Sequence, residues 1–410
     1  MLCYIDNIAL RKSVKIVGML FVFLRLTAII LLLFIFQISF AQESDLTDGE
    51  LEKQIAEIEK EIQNELMIED SPWDFSSNIR VGGGYKENVT MSAFSGESSE
   101  FSIAGIDFIG VRLPMDDDGF EIAIFGAFDD RRYFDAPSVD FEQSALLNTS
   151  LEKSLGNSWE MKTDARYIYI DEMFDASLTE DDIGTVQVVG SQVSLEPAFQ
   201  RNFIGNIWVE FKPEILRQYF ADPLDDYLEI GGRVSAGIDY GFRSKFSIYK
   251  SKARRVYDTR SQRDEVGFYV PDSDLIYNRP ERGMEWTHYL NSDRSVRMRT
   301  RFSIMENKDN GSGYFGYRRE RLLHNWRFHF SKFSFSATLR KALYNYAFQR
   351  SANFTSLRER VDRSVDISLN YLYSKDLSIK LGFEQETIKS NVPQDEYRYR
   401  IYSVGLDWEF

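Results

Sequence analysis

One periodicity governs what this chain can fold into. From Ser77 onward, apolar and polar side chains alternate, as in Trp159, Met161, Thr163, Ala165, Tyr167 and Tyr169, interleaved with Glu160, Lys162, Asp164 and Arg166. Successive side chains of a strand point to opposite faces, so the pattern makes a ribbon with one apolar and one polar face. The stretches 120–128 and 361–371 repeat it. These segments run to roughly fifteen residues, well beyond the five or six of an ordinary strand. Such a length suits a tilted strand that crosses a bilayer, where only every second residue meets lipid.

Sixteen segments of this kind are predicted, over 77–87, 99–114, 119–134, 140–154, 158–172, 184–198, 203–219, 228–242, 244–259, 282–291, 294–308, 313–330, 333–348, 357–374, 376–390 and 395–410. The count is even, and the connections alternate in length. Turns such as Leu155-Gly156-Asn157-Ser158 are tight, whereas 88–98, 173–183, 220–227, 260–281 and 349–356 are long. Together these features predict an all-β transmembrane barrel, antiparallel and up-and-down. A soluble β-sandwich shows similar alternation with shorter strands, and the charges in the middle of the polar faces argue against it. The weakest stretch is 244–291, because Lys250 and Lys252 fall on its lipid face. The long connection 260–281 is the one placed to fold inward and narrow the lumen.

Residues 1–41 have the layout of an export leader. Arg11, Lys12 and Lys15 precede an apolar zone whose uninterrupted core is Leu26–Phe36, and Ser39 and Ala41 supply small residues at a cleavage site. An uncleaved anchor helix is the alternative, and Met19 competes with Met1 as the start. Residues 42–76 are predicted as a periplasmic helix and linker. Thr47 and Glu50 have capping-box spacing, Leu51, Ile55, Ile58, Ile62 and Leu66 form one stripe, and Pro72 closes the segment. Through residues 45–70 this helix is a candidate contact for a homo-oligomer or a periplasmic partner. The barrel is assigned to 77–410.

The leader holds the only cysteine, Cys3, so the chain beyond it excludes disulfide scaffolds, thiol nucleophiles and zinc–thiolate sites. Beyond the leader stand 45 basic and 63 acidic residues, a net charge of −18 that argues against nucleic-acid binding.

The last ten residues carry a family resemblance. Tyr402, Val404, Leu406, Trp408 and Phe410 share one face, and Ser403, Gly405, Asp407 and Glu409 the other. This resembles the C-terminal assembly signal of Gram-negative outer-membrane proteins, with Ser403, Gly405, Trp408 and Phe410 at the positions of its polar residue, glycine and two aromatics. The resemblance implies insertion into the outer membrane of a Gram-negative bacterium, with the barrel-assembly machinery and outer-membrane lipid as partners. The helix-then-barrel layout also resembles phosphate-selective porins. The run Val81-Gly82-Gly83-Gly84-Tyr85 is similar to export-associated barrels of polysaccharide and surface-protein systems.

Charge is uneven along the chain. Residues 42–244 hold 15 basic and 42 acidic residues, and 245–410 hold 30 and 21. Consecutive strands are neighbours in a barrel wall, so one arc is expected to be acidic and the other basic. On the phase of the flanking apolar residues, Arg297, Arg299 and Arg301 face the lumen, followed on later strands by Arg319, Arg321, Arg327 and Arg340. Glu160, Asp164, Asp362, Asp366 and Glu384 face inward by the same logic. These twelve residues are the candidate pore lining. Their arrangement implies a passive porin-like channel for small anionic solutes, with mutual neutralisation and a plugged lumen as the bland alternative and an export barrel as the second functional one.

No hydrolase or nucleotide-binding motif occurs, and no catalytic residue, metal ligand set or cofactor is assigned. The histidines are His288, His324 and His329. His288, near Thr287 and Asp293, is the best placed of them for chemistry, although a girdle or lumen network suits it better.

Overall fold

The computed structural model describes residues 72–94, 96–113, 119–178, 184–203 and 205–410. The expected export leader 1–41 and the expected helix within 42–76 lie outside these residues, and 73–76 of that segment belong to the first strand. The alternation becomes β1 (Trp73–Glu87), β2 (Ser99–Arg112), β3 (Glu121–Tyr133), β4 (Phe141–Gly156), β5 (Trp159–Asp175), β6 (Thr185–Asn202), β7 (Ile207–Phe220) and β8 (Tyr227–Tyr240). The second half continues with β9 (Ser244–Tyr257), β10 (Ile276–Tyr289), β11 (Val296–Asp309), β12 (Tyr317–Phe330), β13 (Phe333–Arg350), β14 (Leu357–Leu372), β15 (Leu377–Ser390) and β16 (Tyr397–Glu409). Each strand pairs with its sequence neighbours and β1 pairs with β16, so the described wall is a closed sixteen-stranded barrel. Closure leaves no strand edge to be satisfied in hydrocarbon.

Several boundaries depart from the sequence expectation: β7 and β12 begin four residues later than expected, at Ile207 and Tyr317, β6 runs on to Asn202, and β1 and β10 begin earlier. β1 begins at Trp73 rather than Ser77, because Asp74 and Ser76 still pair with Val111 and Ile109. β10 begins at Ile276 rather than 282, which shortens the long connection from 260–281 to 258–275. Pro280 hid this strand. It pairs with Lys252 of β9 but falls in a gap of the β10–β11 ladder, between Asn278 and Glu281, where a missing N–H costs no bond on that side.

The closing seam joins the two ends of the chain. Phe410 and Ser77 exchange backbone hydrogen bonds of 2.9 and 3.1 Å, and Gly405 stands opposite Gly82. A Cβ at Gly82 would lie 2.4 Å from the Val404 carbonyl oxygen, so a side chain cannot enter without moving the seam. Trp408 and Phe410 project outward and are exposed, as are Ile79, Val81, Ile106, Val193, Ile230 and Val404 on the same wall. A contiguous apolar exterior of this extent has no place in water and fits a lipid-facing wall. Tight turns at 157–158, 241–243, 331–332 and 373–376 mark one rim, and the long connections, 258–275 the longest, mark the other.

Replacing Gly82 by Leu is expected to block closure. The variant should lose the heat-dependent shift in electrophoretic mobility that a closed barrel shows, whereas Val81→Leu, on the exposed outward face of the same strand, should keep it.

Candidate functional site: the barrel lumen

The inward face is identified by contacts that skip strands, since inward side chains converge and outward ones diverge. Arg80 on β1 reaches Asp129 on β3 at 2.7 Å. Lys86 on β1 reaches Glu142 on β4 at 2.8 Å, and Arg319 on β12 reaches Glu281 on β10 at 3.1 Å. Residues directly opposite in the ladder share a face, which carries this assignment around the wall.

All twelve candidate lining residues lie on that inward phase, but they do not form one site. Arg301 and Arg319 meet at Glu281, with Arg301 also donating to the Tyr249 hydroxyl at 3.1 Å. Arg299 pairs with Glu285. Arg297 stands opposite Arg327 and has Asn325 as a distant partner at 3.5 Å. Arg321, Arg327 and Arg340 make no ion pair or hydrogen bond among the described residues, and all three are exposed although they point inward. An inward side chain open to solvent requires water-filled space beside it. On the inner surface of β11–β13, seven guanidiniums therefore stand beside two β10 carboxylates, Glu281 and Glu285, and the local field is positive.

The candidate acids are dispersed. Glu160 accepts from Asn202 at 2.8 Å, while Asp164 and Asp366 have no hydrogen-bond partner among the described residues. Asp362 is tied to Arg360 at 2.7 Å, and Glu384 accepts from the Tyr399 hydroxyl at 2.6 Å.

Asp362 belongs to a buried polar cluster that the sequence reading did not identify. At the long-connection rim, Arg360 of β14 is 2% exposed and reaches across the barrel to Asp175 and to the Ser177 hydroxyl, both at 2.6 Å. Arg358 donates to the Ser177 carbonyl at 2.9 Å and to Asp395 at 2.6 Å. The segment after β5 is thereby strapped to β14 and to the β15–β16 connection. The β1–β2 connection folds in as well: Met91 packs against Ile388 and Tyr397, and its carbonyl accepts from the Thr185 hydroxyl at 3.1 Å.

The longest connection runs over 258–275, with bounds shifted from those expected. Glu265 and Val266 at the tip of 258–275 line a cavity of about 500 Å³ together with Phe348 of β13, Arg358 of β14 and Asp395 of the β15–β16 connection. That tip is a formed turn. Asp264 accepts from the N–H groups of Phe268, Val266 and Gly267, which hold its carboxyl below the usual carboxylate range.

Arg358 and Arg360 were legible in principle. They continue inward the phase that Val361 and Val365 set outward, but the alternation was traced only from Val361 onward. The expectation that the basic arc faces the lumen holds only in part. Lys250, Lys252, Arg254, Arg282, Lys341 and Arg363 alternate with the inward residues and face outward, where a cation at the bilayer midplane would cost about 2–4 kcal/mol. Of the histidines, His288 lies in an aromatic rim, stacked with Trp286 and Tyr240. Its Nδ1 is 3.2 Å from the Ser244 hydroxyl, with no carboxylate among the described residues on the ring.

No family model matches this sequence, and a search of curated proteins found no relative. Among solved structures the chain is similar in fold to OccAB4 of Acinetobacter baumannii, at 9% identity and a TM-score of 0.43 over 82% of this chain and 98% of the other. An anion-selective porin from Comamonas acidovorans aligns at 11% identity and 0.41, over 82% and 99%. A BenF-like porin from Pseudomonas fluorescens aligns at 8% and 0.40, over 83% and 99%. Likeness at this level says nothing about what crosses the barrel.

Arg360→Ala would leave Asp175 and Asp362 without their shared cation in a buried site. Unfolding free energy should fall by about 3–5 kcal/mol, read from denaturant titration, while Arg350→Ala, at an exposed strand end, should change it little.

Proposed function

We propose that this protein is an outer-membrane channel that passively conducts small anionic solutes. The observation that carries the proposal is the state of Arg321, Arg327 and Arg340: inward, solvent-exposed and without an ion-pair partner among the described residues. Cations left unneutralised in a water-filled passage raise the local concentration of anions, and planar guanidiniums bind carboxylates and phosphates through paired hydrogen bonds. The neighbouring Arg299, Arg301 and Arg319 are held by Glu281 and Glu285, which supplies a fixed surface from which the open arginines project.

Three features support an outer-membrane location: the closed wall, the apolar exterior and the terminal strand that completes the seam. The strap from Arg358 and Arg360 to Asp175 and Ser177 narrows the long-connection mouth, so solutes pass a restricted entrance before they reach the arginines. Selection at the entrance is then by size, and selection below it is by charge.

The test is conductance of the reconstituted full chain across a planar bilayer under a salt gradient. The reversal potential should lie on the anion side and move toward the cation side in R321Q/R327Q/R340Q, with single-channel events still present. Absence of channel events from the wild-type protein, or a reversal potential indifferent to the three substitutions, would contradict the proposal.

A further inference from the structure

Outside the barrel, β9 and β10 carry a cluster of cations that the lumen does not use. Lys250, Lys252 and Arg254 follow one another on the outward phase of β9, and Arg282 of β10 stands directly opposite Lys250. All four are exposed, and none has an ion pair or hydrogen bond among the described residues. The nearest outward acids on β11 and β12, Glu306 and Glu320, are occupied by Lys308 at 2.7 Å and Arg318 at 2.9 Å. Like charges directly opposite across a ladder repel, and cations facing hydrocarbon are costly, so the cluster calls for an anionic counterpart.

The surroundings indicate which anion. Toward the tight-turn rim, the same two strands present Phe246, Ile248, Met284 and Trp286 outward, all exposed. The cations begin where these residues end and continue toward the long-connection rim. Lys252 is flanked by Gly232 on one side and Pro280 on the other, so no long side chain crowds its ammonium group. Apolar side chains on one side and a group of exposed cations without partners among the described residues on the other match an amphiphile whose acyl chains lie along the wall beneath its headgroup.

A second copy of this chain fits less well. A two-fold contact through this patch would set four cations against the same four. The opposite arc offers less than four carboxylates in return: outward Asp130 is paired with Arg132 at 2.8 Å and Glu87 with Arg400 at 3.4 Å, which leaves Glu100 of β2 as an outward acid to set against four cations.

We propose that Lys250, Lys252, Arg254 and Arg282 form a binding site on the outer wall for the phosphate groups of lipid headgroups in the leaflet on the long-connection side. Guanidinium and ammonium groups suit phosphate as bidentate and point-charge partners respectively. Neutralising each cation should weaken binding by roughly fivefold.

The experiment uses the full-length protein in detergent micelles, with bound lipid counted by native mass spectrometry. The probes are diphosphorylated lipid A, its dephosphorylated form and inorganic phosphate. The wild-type protein should retain the diphosphorylated lipid and not the dephosphorylated one. K250Q/K252Q/R254Q/R282Q should lose it while keeping the folded electrophoretic mobility, R282Q alone should weaken it, and K153Q, on the outer face near the tight-turn rim, should bind as wild type. Equal retention of both lipids, or undiminished binding by the fourfold and single variants, would overturn the proposal. So would displacement of the lipid by inorganic phosphate at equal concentration, which would mark a free-anion site. A change in oligomeric mass without a change in lipid binding would mark the patch as a protein interface and overturn it as well.

Discussion

Everything in this molecule depends on closing the wall. A bilayer offers backbone N–H and C=O groups no partner, so sixteen strands are stable there only if the last bonds the first. The β1–β16 ladder does this, from Asn78 opposite Glu409 to Glu87 opposite Arg400. Its tightest positions are Gly84 and Gly82, where the carbonyl oxygens of Tyr402 and Val404 fill the space a side chain would need. The aromatic strand β16 is thus the edge that completes the hydrogen bonding. Once it is in place, side chains have only two destinations, and the chemistry of each face follows from its solvent.

The two faces solve different problems. Inside, charge is tolerated because water and counter-charges are available. The rim at the long connections uses this to build a buried polar strap from Arg358, Arg360, Asp175 and Asp395, while the wall at β11–β13 leaves three arginines open. Buried clusters of this kind are held by geometry more than by net energy, because desolvation offsets much of the Coulomb attraction. Their value lies in fixing the position of a loop across the mouth. Outside, the β1–β8 arc is apolar over most of its height, whereas β9–β14 toward the long connections carries charged residues with cations in the majority, and the asymmetry of the sequence halves reappears there as an asymmetry of surface.

Much of this was legible in the chain. The period of two fixed the face of every strand residue whose neighbours were clearly apolar, which is why Arg297, Arg327 and Asp366 could be placed by arithmetic. Where apolar markers were missing the arithmetic lost its phase. β10 carries Arg279 and Pro280 near its start, and 276–281 read as loop, which also hid Glu281, the carboxylate that organises Arg301 and Arg319. The strap was out of reach for a different reason: Asp175 and Arg360 are separated by 185 residues and meet only because the wall curves back on itself. Local pattern encodes which way a side chain points, and closure decides what it finds there.

The measurement that bears most directly on this account uses the lack of cysteine beyond Cys3. Single cysteines placed one at a time at positions 321 to 328 of β12, with Cys3 absent from the processed chain or replaced, can be challenged in liposomes with a membrane-impermeant maleimide. The account predicts reaction at 321, 323, 325 and 327 and protection at 322, 324, 326 and 328. Uniform reaction along the strand, or protection at both phases, would contradict a water-filled lumen inside a lipid-facing wall.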